Sequence, residues 1–201
     1  MNDLSVISDL QKYISTIWVP GDIVEIRYIM PKGMTGSTHS IWSYAKDIML
    51  HEPEMRKKNA AGWGVYAGVN PRKGFGLRGD VNVALAHTIF VDFDDADVAE
   101  HGIAPADGCG RYEFLCWTLD HSQFPNPDLV VSSGHGLHAY WRLTKPLLDL
   151  RQWEEMQRKF IDVLHSDKSI KNPERIMRLP GFINTKYEPH IDVFIVAGGV
   201  K

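Results

Sequence analysis

The spacing of apolar residues divides the first part of the chain into helices and strands of ordinary length. Apolar residues recur at helical spacing between positions 4 and 17, which predicts an amphipathic helix that ends before Pro20. Positions 22–29 alternate and are rich in β-branched residues, which predicts a strand, and positions 63–69 predict a second strand. Between these two strands, positions 41–50 predict a short helix.

After position 86 the pattern gives six elements in a recognisable order. They are a strand at 86–94, a helix at 111–121, strands at 129–132 and 137–143, a helix at 150–165 and a strand at 191–196. The order β-α-β-β-α-β is that of a ferredoxin-like or RNA-recognition-like unit. We therefore predict an α+β fold in which an N-terminal α/β lobe, residues 1–85, packs against a second lobe, residues 86–201.

Two aspartates share one face of the strand at 86–94. Side chains alternate along a strand, so Asp92 and Asp94 point the same way, about 7 Å apart, while Val91 and Phe93 point to the other face. Oxygen ligands of this kind suit Mg²⁺ or Mn²⁺. A D-x-D sequence alone, however, is more often a pair of exposed acids at the end of a strand.

The predicted topology brings further polar groups to this pair. In a ferredoxin-like sheet the first and third strands are antiparallel neighbours, so the aspartates lie beside the hairpin that contains Gly134 and Gly136. His138 then faces them, and the second helix delivers Asp167 and the basic segment 168–186 to the same edge. Carboxylates that hold metal ions, fixed positive charges and N–H groups of a glycine-rich turn are the groups that nucleotidyl transfer needs.

Composition and charge limit the kinds of partner that the protein is expected to bind. The formal net charge of −3 excludes a uniformly basic nucleic-acid-binding surface, so phosphate contacts must be local. Basic residues gather at 72–78 and 168–186, and acids gather at 92–100. No leader or membrane-spanning run is recognisable, which predicts a cytoplasmic protein without a membrane partner. A zinc site of Cys109, Cys116 and His121 has no standard spacing, and free thiols fit the two cysteines better.

Several segments, taken in order, are similar to the signatures of one enzyme superfamily. Segment 90–94 (FVDFD) resembles the first signature of archaeo-eukaryotic primases (AEPs), and segment 133–138 (SGHGLH) resembles the second. Asp167 and segment 178–186 (RLPGFINTK) resemble the third acid and the following motif of RepB-like plasmid or phage primase-polymerases. Segment 66–72 is similar to their N-terminal lobe.

The resemblance implies a DNA primase-polymerase that makes or extends primers by two-metal nucleotidyl transfer. It implies a single-stranded DNA template, NTP or dNTP substrates, and a longer replication protein with a downstream helicase or accessory helical domain. Metal ligands would be Asp92, Asp94 and Asp167, which with His138 form the catalytic set. The incoming nucleotide would contact Ser133, Gly134, Gly136, His138, Arg178 and Lys186. Residues expected to bind nucleic acid are Arg72, Lys73 and Arg175.

The match departs from the family pattern at one place. Ser166 precedes the third acid, where we expect an apolar residue, and this leaves Asp97 and Asp162 as weaker candidates for that ligand.

Two other functions remain open at this stage. A replication-initiating nicking endonuclease would need a His-hydrophobic-His pair and a nucleophilic tyrosine on a helix. Here His135 and His138 are three positions apart, whereas the histidines of such a pair are two apart. Tyr112 is the only tyrosine on a predicted helix of the second lobe. A non-catalytic RNA-recognition-like module would stack bases on exposed aromatic residues such as Tyr140, but clustered carboxylates would repel phosphate.

Overall fold

The computed structural model describes residues 7–30, 38–94, 109–186 and 188–199, with the side chain of Cys109 excepted. Within these residues it contains four α-helices and two antiparallel sheets. The helices are α1 (Asp9–Ile17), α2 (Glu52–Ala60), α3 (Cys109–Asp120) and α4 (Leu150–Leu164). The strands are β1 (Ile23–Ile29), β2 (His39–Tyr44), β3 (Gly64–Gly68), β4 (Ala86–Asp94), β5 (Leu129–Ser132), β6 (Gly136–Leu147), β7 (Ile176–Arg178), β8 (Phe182–Asn184) and β9 (Ile191–Gly198).

The first sheet has four strands in the order β2-β1-β3-β7. Val24, Ile26 and Tyr28 of β1 are buried on one face, as their alternation predicts. The fourth strand comes from residues 176–178, far along the chain, and pairs with β3. The first sheet therefore takes strands from both sides of residue 85. The division of the chain into two lobes at that residue stays a prediction.

The second sheet has five strands in the order β4-β6-β5-β9-β8. The predicted antiparallel pairing of the first and third strands of the six-element unit is confirmed as β4 with β6. The last strand of that unit, β9, pairs with β5 rather than with β4. Strand β4, which carries Asp92 and Asp94, therefore lies at an edge of the sheet.

Helix α4 covers this edge. An unpaired strand edge exposes backbone N–H and C=O groups that need partners. The side chain of Gln157 bonds both the N–H and the C=O of Phe90, and the indole of Trp153 donates to the carbonyl of Thr88. The side chain of Asp149 caps the start of α4 by accepting from the N–H of Arg151. These bonds fix α4 beside β4 and thereby the segment that follows it.

The predicted helix at 41–50 is wrong in its first part. Ile41 and Trp42 pair with Ile26 and Glu25 in an antiparallel ladder, so β2 extends to Tyr44, and a 3₁₀ helix follows at Ala45–His51. Strand pairing here overrides a local pattern compatible with a helix. Helix α2 and the three-residue strands β7 and β8 lie outside the predicted elements. The α+β class is confirmed.

None of the helices in the described residues has both the length and the apolar character needed to cross a membrane.

Candidate active site

Asp92, Asp94 and His138 lie together where β4 and β6 pair. Asp92 is directly opposite His138 and Asp94 is directly opposite Gly136 in the antiparallel register, so the side chains share one face. His138 Nε2 lies 3.7 Å from Asp92 Oδ1. Asp92 has 28% of its side chain exposed and Asp94 is exposed, whereas Val91 and Phe93 are buried. The carboxylates therefore occupy the open side of the strand.

The hairpin between β5 and β6 brings Ser133 to the same point. Its N–H donates to the carbonyl of Gly136, which closes the turn. Gly134 has φ +93°, a left-handed conformation that favours glycine, and a Cβ there would also lie 3.1 Å from Asn184. A Cβ on Gly136 would lie 2.9 Å from Ser133 Oγ, 3.0 Å from the carbonyl oxygen of Phe93 and 3.1 Å from Asp92 Oδ1. The absence of a side chain at Gly136 thus lets these three oxygens lie close to the backbone of residue 136.

His138 is a buried, neutral histidine. Burial lowers its pKa to about 3, and the positive charge of Arg178 acts in the same direction. Its Nδ1 lies 3.2 Å from the hydroxyl of Tyr140. The imidazole is therefore uncharged at neutral pH and can donate one hydrogen bond. His135, at the hairpin tip, is half-buried.

Asp167 reaches Asp92 through its backbone. The N–H of Asp167 donates to the carbonyl oxygen of Asp92 over 2.9 Å. Its carboxylate accepts hydrogen bonds of 2.7 Å from the N–H and the hydroxyl of Ser169. Ser166, where the family pattern predicts an apolar residue, is 2% exposed and its hydroxyl has no hydrogen-bond partner within the described chain, so the position is as buried as an apolar residue would be. Asp162 is exposed on α4, and Asp97 lies outside the described residues.

The donor set fits a divalent cation, although the structure does not assemble a complete ligand cluster. In the ranges that the structure describes, no group of three or more His, Cys, Asp or Glu side chains is arranged to hold a metal ion. The two carboxylates of β4 are nevertheless hard oxygen donors, and Ser133 Oγ and Asp92 Oδ1 both lie close to the backbone of Gly136. These oxygens suit Mg²⁺ or Mn²⁺ with further ligands from water or a substrate phosphate.

The motif at 178–186 connects the two sheets. Arg178 lies in β7 of the first sheet opposite Tyr66, with its guanidinium 4.9 Å from the Tyr66 ring centre. The side-chain amide of the buried Asn184 in β8 donates to the carbonyl of Ser133, and its oxygen accepts from the N–H of Lys186. The motif thus holds the hairpin and Lys186 in place from one sheet and presents Arg178 toward His138 from the other.

The prediction that Arg72 binds nucleic acid is wrong. Its side chain is fully buried and forms a 3.0 Å ion pair with Glu25, which is also fully buried. Lys73 is exposed, with its ammonium bonded to the carbonyl of Val81, and Arg175 is half-buried with its guanidinium bonded to Ser169. A run of basic residues in the sequence does not distinguish a buried ion pair from a surface patch.

Sequence reasoning also missed the group around Glu25. Arg27, Arg72, Arg78 and Ser40 all contact its carboxylate. Burial alone would raise the pKa of Glu25, but hydrogen bonds from Arg27, Arg72 and Ser40 outweigh it and lower the pKa to about 2. An acid flanked by β-branched residues in β1 is the only sequence signal for such a group. Cys116 is a free, exposed thiol, as expected.

The chain is similar to known proteins in structure, whereas comparisons of its sequence find no match. No protein-family model matches, and no curated protein matches in sequence. The AEP domain of the cyanophage S-2L primase-polymerase superposes with a TM-score of 0.67 at 20% identity, covering 96% of this chain and 91% of that domain.

Two structures of the primase RepB′ are also similar. Its catalytic domain in complex with initiator DNA gives a TM-score of 0.63 at 15% identity, over 94% of this chain and 83% of that one. A second RepB′ structure gives a TM-score of 0.61 at 15% identity, and the present chain covers only 55% of its length. The expectation of an AEP-type primase fold is therefore confirmed.

Proposed function

We propose that the chain is a template-dependent nucleotidyltransferase that makes or extends DNA primers. The observation that carries the proposal is the register of β4 and β6, which places Asp92, Asp94 and His138 on one face of the sheet, with Gly136 directly opposite Asp94. The AEP-type fold supports the same reaction class, since two structural neighbours are a primase-polymerase domain and a primase bound to initiator DNA.

In this proposal Asp92 and Asp94, joined by Asp167, hold Mg²⁺ or Mn²⁺. The bound ions would neutralise the triphosphate and lower the pKa of the attacking hydroxyl. Each carboxylate oxygen has two lone pairs, so the bonds that Asp167 accepts from Ser169 leave one lone pair on each oxygen for a further ligand. Gly136, which has no side chain, lets Ser133 and Asp92 lie close to the turn backbone.

The remaining residues bind the incoming NTP or dNTP. His138, buried and neutral, presents an N–H to a phosphate oxygen without adding charge. Ser133 contributes its hydroxyl, and the turn at Gly134 contributes backbone N–H groups. Arg178 supplies a planar two-pronged donor, which Tyr66 orients. Lys186 supplies a second positive charge to the phosphates of the nucleotide, and Lys73 and Arg175 contact phosphates of a single-stranded DNA template.

The two other functions have less support. Tyr112 packs against the hydrophobic core on α3, which is a poor position for a nucleophile that must reach DNA. Tyr140 is fully buried, so it offers no surface on which a base can stack. Neither a nicking endonuclease nor a base-stacking module is favoured by these positions.

The direct test is nucleotide incorporation on a single-stranded DNA template, with and without a primer, in Mg²⁺ or Mn²⁺. We expect products whose sequence follows the template and which vanish with EDTA. A labelled DNA adduct on a tyrosine would support the nicking endonuclease instead. Binding of DNA without metal-dependent incorporation would support the non-catalytic module.

A further inference from the structure

A chain of buried hydrogen-bonding side chains runs from α1 to His138. The hydroxyl oxygens of Tyr13 and Tyr140 lie 3.4 Å apart, and the Tyr140 hydroxyl lies 3.2 Å from His138 Nδ1. Tyr13 and Tyr140 are fully buried and His138 is 2% exposed, so water cannot readily replace any of these partners. The Tyr13 ring also packs edge-on against the Tyr140 ring. The first helix is thereby connected to the candidate active site.

The number of protons on Tyr13, Tyr140 and His138 determines which group donates in each of these hydrogen bonds. Each tyrosine hydroxyl has one proton to donate, and a neutral imidazole has one on either Nδ1 or Nε2. Within the described chain the Tyr13 hydroxyl is hydrogen-bonded to Tyr140 and to no other group. All bonds form when Tyr13 donates to Tyr140 and Tyr140 donates to His138 Nδ1. The imidazole proton must then be on Nε2.

The opposite direction leaves two groups in unfavourable positions. A proton on Nδ1 would make Tyr140 donate toward Tyr13, and the Tyr13 proton would be buried without an acceptor. His138 Nε2 would also direct a lone pair at Asp92 Oδ1, 3.7 Å away. A buried donor without an acceptor is unfavourable, so the Nε2–H form is the stable one.

The position of Nε2 allows this tautomer to donate a hydrogen bond to a ligand. A separation of 3.7 Å from Asp92 is longer than a normal hydrogen bond, so a phosphate oxygen that approaches the N–H more closely is the better acceptor. The Nε2 side of the ring faces the carboxylate of the open strand face, whereas the Nδ1 side faces the buried tyrosines.

We propose that Tyr140 and Tyr13 are positioning residues that hold His138 in the Nε2–H form and direct this N–H at a phosphate of the incoming nucleotide. Tyr140 acts directly on Nδ1, and Tyr13 acts by orienting the Tyr140 hydroxyl. The identity of the acceptor rests on the proposed function, whereas the tautomer and its dependence on the tyrosines do not.

The tautomer can be measured without any enzymatic assay. Long-range ¹H–¹⁵N spectra of histidine-labelled protein distinguish the two neutral forms, and His138→Gln identifies the His138 signals. We expect the Nε2–H form in the unmodified protein. Tyr140→Phe, which keeps the ring and removes the donor, should move the Nδ1 resonance of His138 toward that of an imidazole nitrogen that accepts no hydrogen bond, and Tyr13→Phe should cause a smaller change in the same direction.

Tyr28→Phe is the matched control. Tyr28 is also a fully buried tyrosine, but it belongs to β1 of the first sheet. Its hydroxyl has no hydrogen-bond partner within the described chain. Removal of this hydroxyl should leave the His138 signals unchanged. In templated incorporation, Tyr140→Phe should raise the nucleotide KM about tenfold, which corresponds to one hydrogen bond of about 1.4 kcal/mol, and Tyr28→Phe should leave the KM unchanged.

Each result decides for or against the proposal. An Nδ1–H signal in the unmodified protein, or wild-type His138 signals in Tyr140→Phe, would overturn it even if the chain incorporates nucleotides. An Nε2–H signal that Tyr140→Phe alters would support the positioning role even in a protein without polymerase activity, which separates this proposal from the proposed function. If Tyr140→Phe does not fold, Tyr13→Phe decides: a shift supports the role and wild-type signals overturn it.

Discussion

The backbone N–H of Asp167 donates to the carbonyl oxygen of Asp92 over 2.9 Å, across the edge of the second sheet. This bond fixes the position of the third predicted acid relative to the first by main chain, independently of either side chain. Substitution of the Asp167 carboxylate therefore leaves the contact in place, so its chemical role can be tested separately from its structural one.

Asp167→Asn should lower nucleotide incorporation at least about 100-fold and raise the Mn²⁺ concentration needed for half-maximal rate, because a neutral amide is a poor ligand for a hard cation. Ser169→Ala is the comparison, since it removes one hydrogen bond to Asp167 and leaves the carboxylate charge intact. Equal activities of Asp167→Asn and the unmodified protein, at all Mn²⁺ concentrations, would remove Asp167 from the metal site.

Arg178→Ala should reduce incorporation more than Lys186→Ala, through a higher nucleotide KM and a weaker dependence on salt, because a planar guanidinium binds phosphate in two places. Arg178→Lys should not restore the rate, since the flat contact with Tyr66 is lost. Steady-state kinetics at several salt concentrations give both quantities. Unchanged KM and salt dependence in both alanine variants would place these residues outside the active site.

Gly136→Ala should lose activity, because its Cβ would lie 2.9 Å from Ser133 Oγ and 3.0 Å from the carbonyl oxygen of Phe93, and the latter belongs to the backbone and cannot easily move. Crowding of this kind typically costs about 1–3 kcal/mol of stability. Gly21→Ala is the control, since nothing lies within 4 Å of its Cβ position. Wild-type incorporation by Gly136→Ala would show that the close packing of Ser133 and Asp92 around residue 136 is not needed.

Glu25 predicts how stability depends on pH. Its pKa is lowered from the model-compound value of 4.5 to about 2 by Arg27, Arg72 and Ser40. Protonation is thus more favourable in the unfolded chain, so this stabilisation is fully present above about pH 4.5 and is lost as pH falls toward 2. The free energy of unfolding, measured with urea on the unmodified protein, should therefore decrease between pH 5 and pH 2 because of this group.

Glu25→Gln is the test of this assignment. It should destabilise the protein by about 3 kcal/mol at pH 7, because it leaves the buried Arg72 without its charged partner, and it should lose less further stability on acidification than the unmodified protein. An identical decline in both proteins would show that other carboxylates account for the acid sensitivity.

The sequence predicted the centre of the candidate site better than its surroundings. Period-two alternation and the pairing of first and third strands were enough to place Asp92 beside His138, because both depend on local geometry and a common topology. The role of Arg72 was not predictable, since its partner Glu25 is distant in the chain and charge clustering is the same in a buried pair and a surface patch.

Long-range contacts account for the other differences. Strand β7 belongs to the first sheet only because Tyr66 and Ala67 pair with Arg178 and Met177, a contact that no local pattern encodes. The link from Tyr13 to His138 likewise joins residues that are far apart in the sequence. Tyr140 was considered from the sequence as an exposed aromatic residue that could stack on a base, and only the structure shows that it is buried.

The central claim is that Asp92 and Asp94 hold the metal ions of a nucleotidyl transfer site. Asp92→Asn and Asp94→Asn keep size and remove charge, and Asp120→Asn does the same at an exposed position on the end of α3. Templated incorporation in Mg²⁺ or Mn²⁺ should fall to background in the first two proteins, with unfolding midpoints near that of the unmodified protein, and should be unaffected in the third. Near-normal incorporation by Asp92→Asn or Asp94→Asn would contradict the account.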